Sequence, residues 1–193
     1  MPTPARTSLD EIVAAGREIL DAEGLDGLTM DRVARAVGVR GPSLYKRVRD
    51  RGELIHLIAN AAALELGDLV GEAATTGDAS RSLRAMVDAL RAFARAKPSS
   101  YGLLFDRLPD TWRPDRPIVE RVVAPLFRTV AVLAGPEREL EAARTVVAWA
   151  RGFIEMELAD AFQLGGSIED AYEFGIERLI AAIATSAPCR VGG

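Results

Sequence analysis

Apolar residues recur at three- and four-residue intervals along most of the chain, and that spacing predicts helices. Leu9, Ile12, Val13, Gly16, Ile19 and Leu20 form one stripe, opened by a Ser8/Glu11 capping box and closed at Gly24. Met30, Val33, Ala34 and Val37 form a second. Thr29 caps it, and Gly38, free to take a left-handed backbone, ends it. A third helix begins at Gly41-Pro42, where proline has no intrahelical N–H bond to lose. Leu44 and Val48 then face inward and leave Ser43, Tyr45, Lys46 and Arg47 outside, while Leu25 and Leu28 fill the corner. Two short helices around a tight turn, seated on a first helix, predict a helix-turn-helix.

From Arg51, with Asp50 as cap, a longer helix is predicted through Leu54, Ile55, Ile58, Ala61, Ala62 and Leu66, ending near Gly67 to Gly71. Residues 71–80 read as a loop. Further helices are expected from Asp78 or Ser80 to Lys97, from Tyr101 to Leu108, and from about Ile118 to Leu133 with Pro125 inside. Two more are expected from about Glu137 to Leu164, the longest, closed by Gly165-Gly166, and from a Ser167/Asp170 cap to Thr185. The stretch LPDTWRPDRP (108–117) reads as a surface connection. No alternating β-branched run predicts a strand, so the expected class is all-α.

Charge sharpens the picture. Seven basic residues (Arg32, Arg35, Arg40, Lys46, Arg47, Arg49, Arg51) stand against Asp50 alone, in a chain whose net charge is −4. A local polycation on a helix-turn-helix is the footprint of DNA binding. Elsewhere the composition is ordinary. With one cysteine, Cys189, no intramolecular disulfide forms, and no export signal or long uninterrupted apolar run is present, which together lead us to expect a cytoplasmic protein. Residues 1–7 read as a loose terminus or as an arm from which Arg6 reaches a phosphate or a minor groove. His56, the only histidine, cannot build a histidine-rich metal site and reads as an interdomain packing residue. Glu155, Glu157 and Asp160 share a helix, but 155 and 157 diverge around it, and neither a phosphate-cradling loop nor a serine elbow is found. No catalytic residue, metal site or cofactor is expected.

The run Leu28-Thr29, Val37-Gly38-Val39, Pro42-Ser43-Leu44-Tyr45, Val48-Arg49-Asp50-Arg51 and Leu54 resembles the signature of the TetR family of transcriptional regulators. The resemblance is close over about a quarter of the chain. It implies a helix-turn-helix DNA-binding domain over 1–52 and a helical ligand-binding and dimerisation domain over 53–193. It implies phosphate contacts for Thr29, Tyr45 and Arg51, and base-edge contacts for Gly41, Pro42, Ser43 and Lys46. Arg47 stands where the family's namesake has histidine, and Lys46 where an aromatic is common, so the preferred base sequence does not carry over. Arg40 and Lys46 are the candidates for reading guanine.

The same resemblance implies a homodimer through the last two long helices. Val146, Ala150, Phe153, Ile154, Leu158 and Phe162 are the expected surface on one, and Ile168, Tyr172, Ile176, Leu179, Ile180 and Ile183 on the other. Such a dimer would set two reading helices on a palindromic operator. Tyr101, Phe105, Trp112, Phe127, Trp149, Phe153 and Met156 are expected to line an apolar cavity for a small effector, with Arg151 or Glu155 at its mouth. The segment Ala148-Trp149-Ala150-Arg151-Gly152 is similar to a C-terminal subtype whose pattern is tryptophan, histidine, glycine, with Arg151 replacing the histidine. The expected function is an operator-binding repressor released by a small, largely apolar ligand. The alternative is a degenerate regulator acting through protein–protein interaction.

Overall fold

The computed structural model describes residues 7–74 and 77–185, so Arg6 and Cys189 lie outside the described residues. Within them the chain is nearly all helical and contains no strand. Helix α1 (Leu9–Gly27) opens with the predicted capping box: the Glu11 amide donates to Ser8 Oγ at 3.1 Å, and the Ser8 amide to Glu11 Oε2 at 2.8 Å. Its regular helix breaks at Gly24 (φ 70°, ψ −175°), as expected, and a further short turn follows up to Gly27. Helices α2 (Met30–Ala36) and α3 (Gly41–Tyr45) flank a turn in which Gly38 has φ 69°. There the Val39 amide reaches back to the Ala34 carbonyl at 2.9 Å and the Gly38 amide to Arg35 at 3.1 Å, closing the helix end with a left-handed residue.

Helix α4 (Arg51–Ala73) is the longest at 23 residues. Asp50 caps it, accepting the Glu53 amide at 2.8 Å. That bond, and then Arg49, hold the Asp50 carboxyl below the usual carboxylate range. Contrary to expectation, α4 runs through Gly67 and Gly71. Gly67 serves close approach instead of termination, because a Cβ there would stand 2.9 Å from Val122 Cγ2. By length and composition α4 is apolar enough to cross a membrane, but it contributes core residues to the fold, among them Leu54, Ile55 and Ile58.

Helix α5 (Ala79–Ala96) starts after the Asp78 cap, and α6 (Pro98–Phe105) begins three residues earlier than expected, with Pro98 in its first turn. A 3₁₀ turn (Asp110–Trp112) precedes α7 (Arg116–Ala134), which carries Pro125 inside it. Helix α8 (Glu139–Leu158) is shorter than the predicted 137–164. Asp160 adopts φ 49°, and the Ala161 amide bonds to the Met156 carbonyl at 2.9 Å, so the chain leaves the helix well before Gly165-Gly166. Helix α9 (Ile168–Thr185) is capped by Ser167, whose Oγ accepts the Asp170 amide at 3.1 Å.

Packing divides the chain into two compact units. The first takes the chain up to Glu65 and then Lys97–Val119, and the second takes Leu66–Ala96 and the chain from Glu120. The expected boundary at 52/53 falls inside the first unit. The first unit's core combines Ile12, Leu20, Leu28, Val33, Leu44, Val48, Leu54 and Ile58 with Leu103, and Leu108 and Trp112 pack against it. The second unit's core is built from Leu83, Met86, Val87, Val130, Val146, Ala150, Tyr172 and Ile176. There α9 approaches α8 closely, because Gly175 leaves room for the Trp149 ring, 2.5 Å from where a Cβ would stand.

Candidate nucleic-acid interface

Leu44 and Val48 have no exposed surface and anchor α3 against α1, α2 and α4, which fixes what α3 presents outward. Pro42, Ser43, Tyr45, Lys46 and Arg47 are exposed, Tyr45 to 53%. Gly41 opens the helix with nothing within 4 Å of a Cβ position. Thr29 is exposed, and its hydroxyl caps α2 by accepting the Arg32 amide at 3.3 Å.

The basic cluster is less uniform than the sequence implies. Arg32 pairs with Glu23, Arg35 with Asp31 at 2.9 Å, and Arg49 with Asp50 at 2.9 Å. Arg51 turns inward: its Nε donates to the Leu28 carbonyl at 2.7 Å and Nη2 to the Leu25 carbonyl at 2.5 Å. Arg40, Lys46 and Arg47 have no ion-pair partner among the described residues. Of these seven, the cations left open to a polyanion are therefore those on and beside α3.

The aromatic residues expected around one cavity are divided between the two units. Tyr101 and Phe105 pack together at 4.7 Å in the first unit, which also holds Trp112. Phe127, Trp149 and Phe153 pack against the second unit's core, and Met156 is 46% exposed. Trp149 and Phe153 do meet, at 5.7 Å, and Phe162 and Tyr172 join them. Arg151 and Glu155 pair with each other at 2.5 Å on an exposed face. A cleft of about 500 Å³ in the second unit is lined by Gly67, Asp68, Arg121 and Arg128 and includes none of the seven candidates.

Six of the twelve residues expected on the dimer surface turn inward. Val146, Ala150, Ile154, Tyr172, Ile176 and Ile183 are buried within this chain, and periodicity cannot tell a face turned to its own core from one turned to a partner. The exposed residues of α8 and α9 include Ala148, Gly152, Met156 and Leu158, the last from the expected stripe, and Ala171, Phe174, Arg178 and Ala181. Of the three acids considered for chemistry, Glu157 is turned inward to Arg91 at 2.8 Å. Among the described residues no group of three or more potential ligands could hold a metal. His56 sits in the first unit, its Nδ1 2.8 Å from the Arg113 carbonyl.

A helix-turn-helix with an exposed cationic reading helix, in a chain otherwise built as a helical body, defines a DNA-binding regulator. The chain belongs to the TetR family: residues 12–58 match the family of bacterial regulatory proteins named for tetR, and residues 83–179 the tetracyclin repressor-like C-terminal domain. It is a TetR-family transcriptional regulator. Over 57 residues it is 37% identical to the class E tetracycline repressor of Escherichia coli, and over 57 residues 49% identical to the HTH-type transcriptional repressor DrrR1 of Streptomyces coeruleorubidus. Each match covers 30% of this chain, but only 27% and 21% of those proteins' own lengths. The fold is shared with SCO7222, a TetR from Streptomyces coelicolor (TM-score 0.71, 19% identity, 95% of this chain and 100% of that one). It is shared also with a TetR variant from Acinetobacter baumannii in complex with minocycline (TM-score 0.65, 22% identity, 95% and 99%).

Proposed function

We propose that this regulator is a repressor that binds a palindromic operator as a homodimer and is released by a small, largely apolar effector. The observation that carries the reading is α3 itself. Its inner face is fully buried, and its outer face offers Tyr45, Lys46 and Arg47, the last two without intrachain ion pairs, beside Arg40. In this reading Thr29 and Tyr45 contact phosphates and Lys46 and Arg40 read base edges, with Gly41, Pro42 and Ser43 close to the groove floor. Arg51 adds charge at the start of α4 while two of its donors hold the Leu25 and Leu28 carbonyls.

Dimerisation uses the outward face of α8 and α9, where Phe174 is 64% exposed and Ala148, Gly152 and Ala181 permit close helix approach. Twofold symmetry then puts two reading helices roughly 34–36 Å apart, on successive major grooves. A minocycline-bound protein of the same fold supports a small-molecule effector, and the ring cluster of Trp149, Phe153 and Phe162 supports apolar surface for one in the body. The working site is the cytoplasm, where the DNA is.

Fluorescence anisotropy with duplexes from around the protein's own gene tests this reading. Sequence-selective binding, one dimer per site and steeply weakened by salt, is expected, and Tyr45→Ala with Lys46→Ala should abolish it while the dimer persists. Unselective weak binding that ignores both substitutions points to the protein–protein alternative.

A further inference from the structure

The DNA-reading head is finished by residues far from it in sequence. Leu103 is buried in its core, and Leu108 and Trp112 pack on that core. The Trp112 indole lies on the first turn of α4: its Nε1 is 3.1 Å from where a Cβ on Gly52 would stand, and its ring centroid is 5.8 Å from Arg51 Cζ. Arg51 in turn holds the carbonyls of Leu25 and Leu28, the latter just before Thr29, the cap of α2. The segment carrying Trp112 is tied down further along α4. Asn60 donates to Asp115 Oδ2 at 2.8 Å and accepts the Asp115 amide at 2.8 Å, while His56 meets the Arg113 carbonyl.

We propose that Trp112 is a positioning residue for DNA reading: it confines Arg51 to the rotamer that ties α4 to the α1–α2 corner, and so sets the seat of α3 without itself touching DNA. The inference rests on the DNA-reading function proposed above. Its physical basis is the cost of ordering a long cationic side chain. A flexible arginine gives up much of its rotamer freedom when fixed. An aromatic wall lowers that cost by excluding competing rotamers and by attracting the guanidinium to its π face. The same wall screens the two N–H···O=C bonds from water, and in that lower dielectric they count for more. Without the ring Arg51 is free to turn to solvent or to a phosphate, and the corner before Thr29 loses its tether. Gly52 belongs to the same arrangement, since any side chain there pushes on the indole.

The test uses the full chain and the duplex that wild-type protein enriches from a random-sequence pool. Affinity is measured across a salt series for wild type, Trp112→Ala and Trp112→Phe, with Lys46→Ala as control. Trp112→Ala should weaken binding at least tenfold with the slope of log K against log salt unchanged, because no phosphate contact is removed. Trp112→Phe, which keeps a ring, should recover most of the affinity. Lys46→Ala, which removes a base-edge contact, should lower affinity and relax sequence selectivity. If Trp112→Ala does not fold, Trp112→Leu, apolar but without a ring, takes its place with the same expectation. A folded Ala or Leu variant that binds within twofold of wild type overturns the proposal, as does a loss accompanied by a reduced slope, which would make Trp112 a contact residue. A wild-type protein that enriches no duplex overturns the DNA-reading function itself, and the positioning role with it.

Discussion

The guanidinium of Arg91 lies 3.9 Å from the centroid of the Tyr172 ring, sandwiching α5 against α9, while its edge grips Glu157 of α8 through Nε at 2.9 Å and Nη2 at 2.8 Å. Nη1 reaches Glu169 at 2.9 Å, and the Tyr172 hydroxyl donates to Asp88 at 2.7 Å. One side chain on α5, 4% exposed, thus fixes the end of α8 and the start of α9 together. Burial, and then the bond to Asp88, push the Tyr172 phenol upward, so it stays a neutral donor at any working pH.

Removing one partner of such a group leaves the other charge buried. Arg91→Met is therefore expected to destabilise the protein by about 3–5 kcal/mol, read from urea denaturation. Replacing both members, Arg91→Met with Glu157→Leu, should recover most of the loss. A single Arg91→Met variant with the wild-type midpoint would show that the network adds nothing to stability.

The same network predicts acid lability. The Arg91 hydrogen bonds, aided by Arg95, hold the Glu157 carboxyl down at about 2 against the usual 4.5. The folded value lies below the unfolded one, so between the two the unfolded chain binds more protons and stability falls as pH falls. The contribution is complete above about pH 5 and lost towards pH 2, and is on the order of 3 kcal/mol. Urea midpoints measured from pH 6 to pH 3 should drop more steeply for wild type than for Glu157→Gln, and parallel curves would exclude Glu157 as the source.

How far the sequence discloses this protein depends on how local each signal is. Ser8, Thr29, Asp50 and Ser167 announce helix starts because a cap acts within three residues, and Gly38 announces the turn because the left-handed backbone is a property of that one position. The outward set on α3 was legible for the same reason. Pairings across long separations were not: nothing near Trp112 in sequence says that it packs on Gly52, and Arg91 reads as one more arginine on an amphipathic helix. The basic run from Arg32 to Arg51 likewise hides its pairing with Glu23, Asp31 and Asp50.

Two glycines inside α4 show how a single residue type carries opposite meanings. Both read as helix ends in sequence. A Cβ at Gly71 meets nothing within 4 Å, so Gly71→Ala should stabilise by about 0.5–1 kcal/mol through helix propensity alone. At Gly67 the same methyl stands 2.9 Å from Val122 Cγ2 and 3.5 Å from its Cα, on a stiff β-branched neighbour. Gly67→Ala should therefore destabilise by about 1–3 kcal/mol. Thermal melts of the two variants should shift in opposite directions, and a shared sign would mean that α4 and α7 are not packed at this spacing.

Gly38 and Asp160 close α2 and α8 with the same pair of backbone bonds and the same left-handed residue, at φ 69° and 49°. Only the first was recognisable, since aspartate is an uncommon choice for that backbone. A side chain there costs about 1–2 kcal/mol, less for asparagine or aspartate, whose short polar groups bond locally. Gly38→Ala, with no neighbour within 4 Å of the new methyl, should destabilise by about 1–2 kcal/mol from backbone strain alone, and Gly38→Asn by less. Asp160→Gly should run the other way. It relieves the strain and removes a negative charge from the C-terminal end of a helix, where the macrodipole disfavours it, for a gain of about 1 kcal/mol. Equilibrium denaturation of the three variants decides: a stabilised Gly38→Ala or a destabilised Asp160→Gly would mean that these residues do not adopt left-handed backbone in the folded protein.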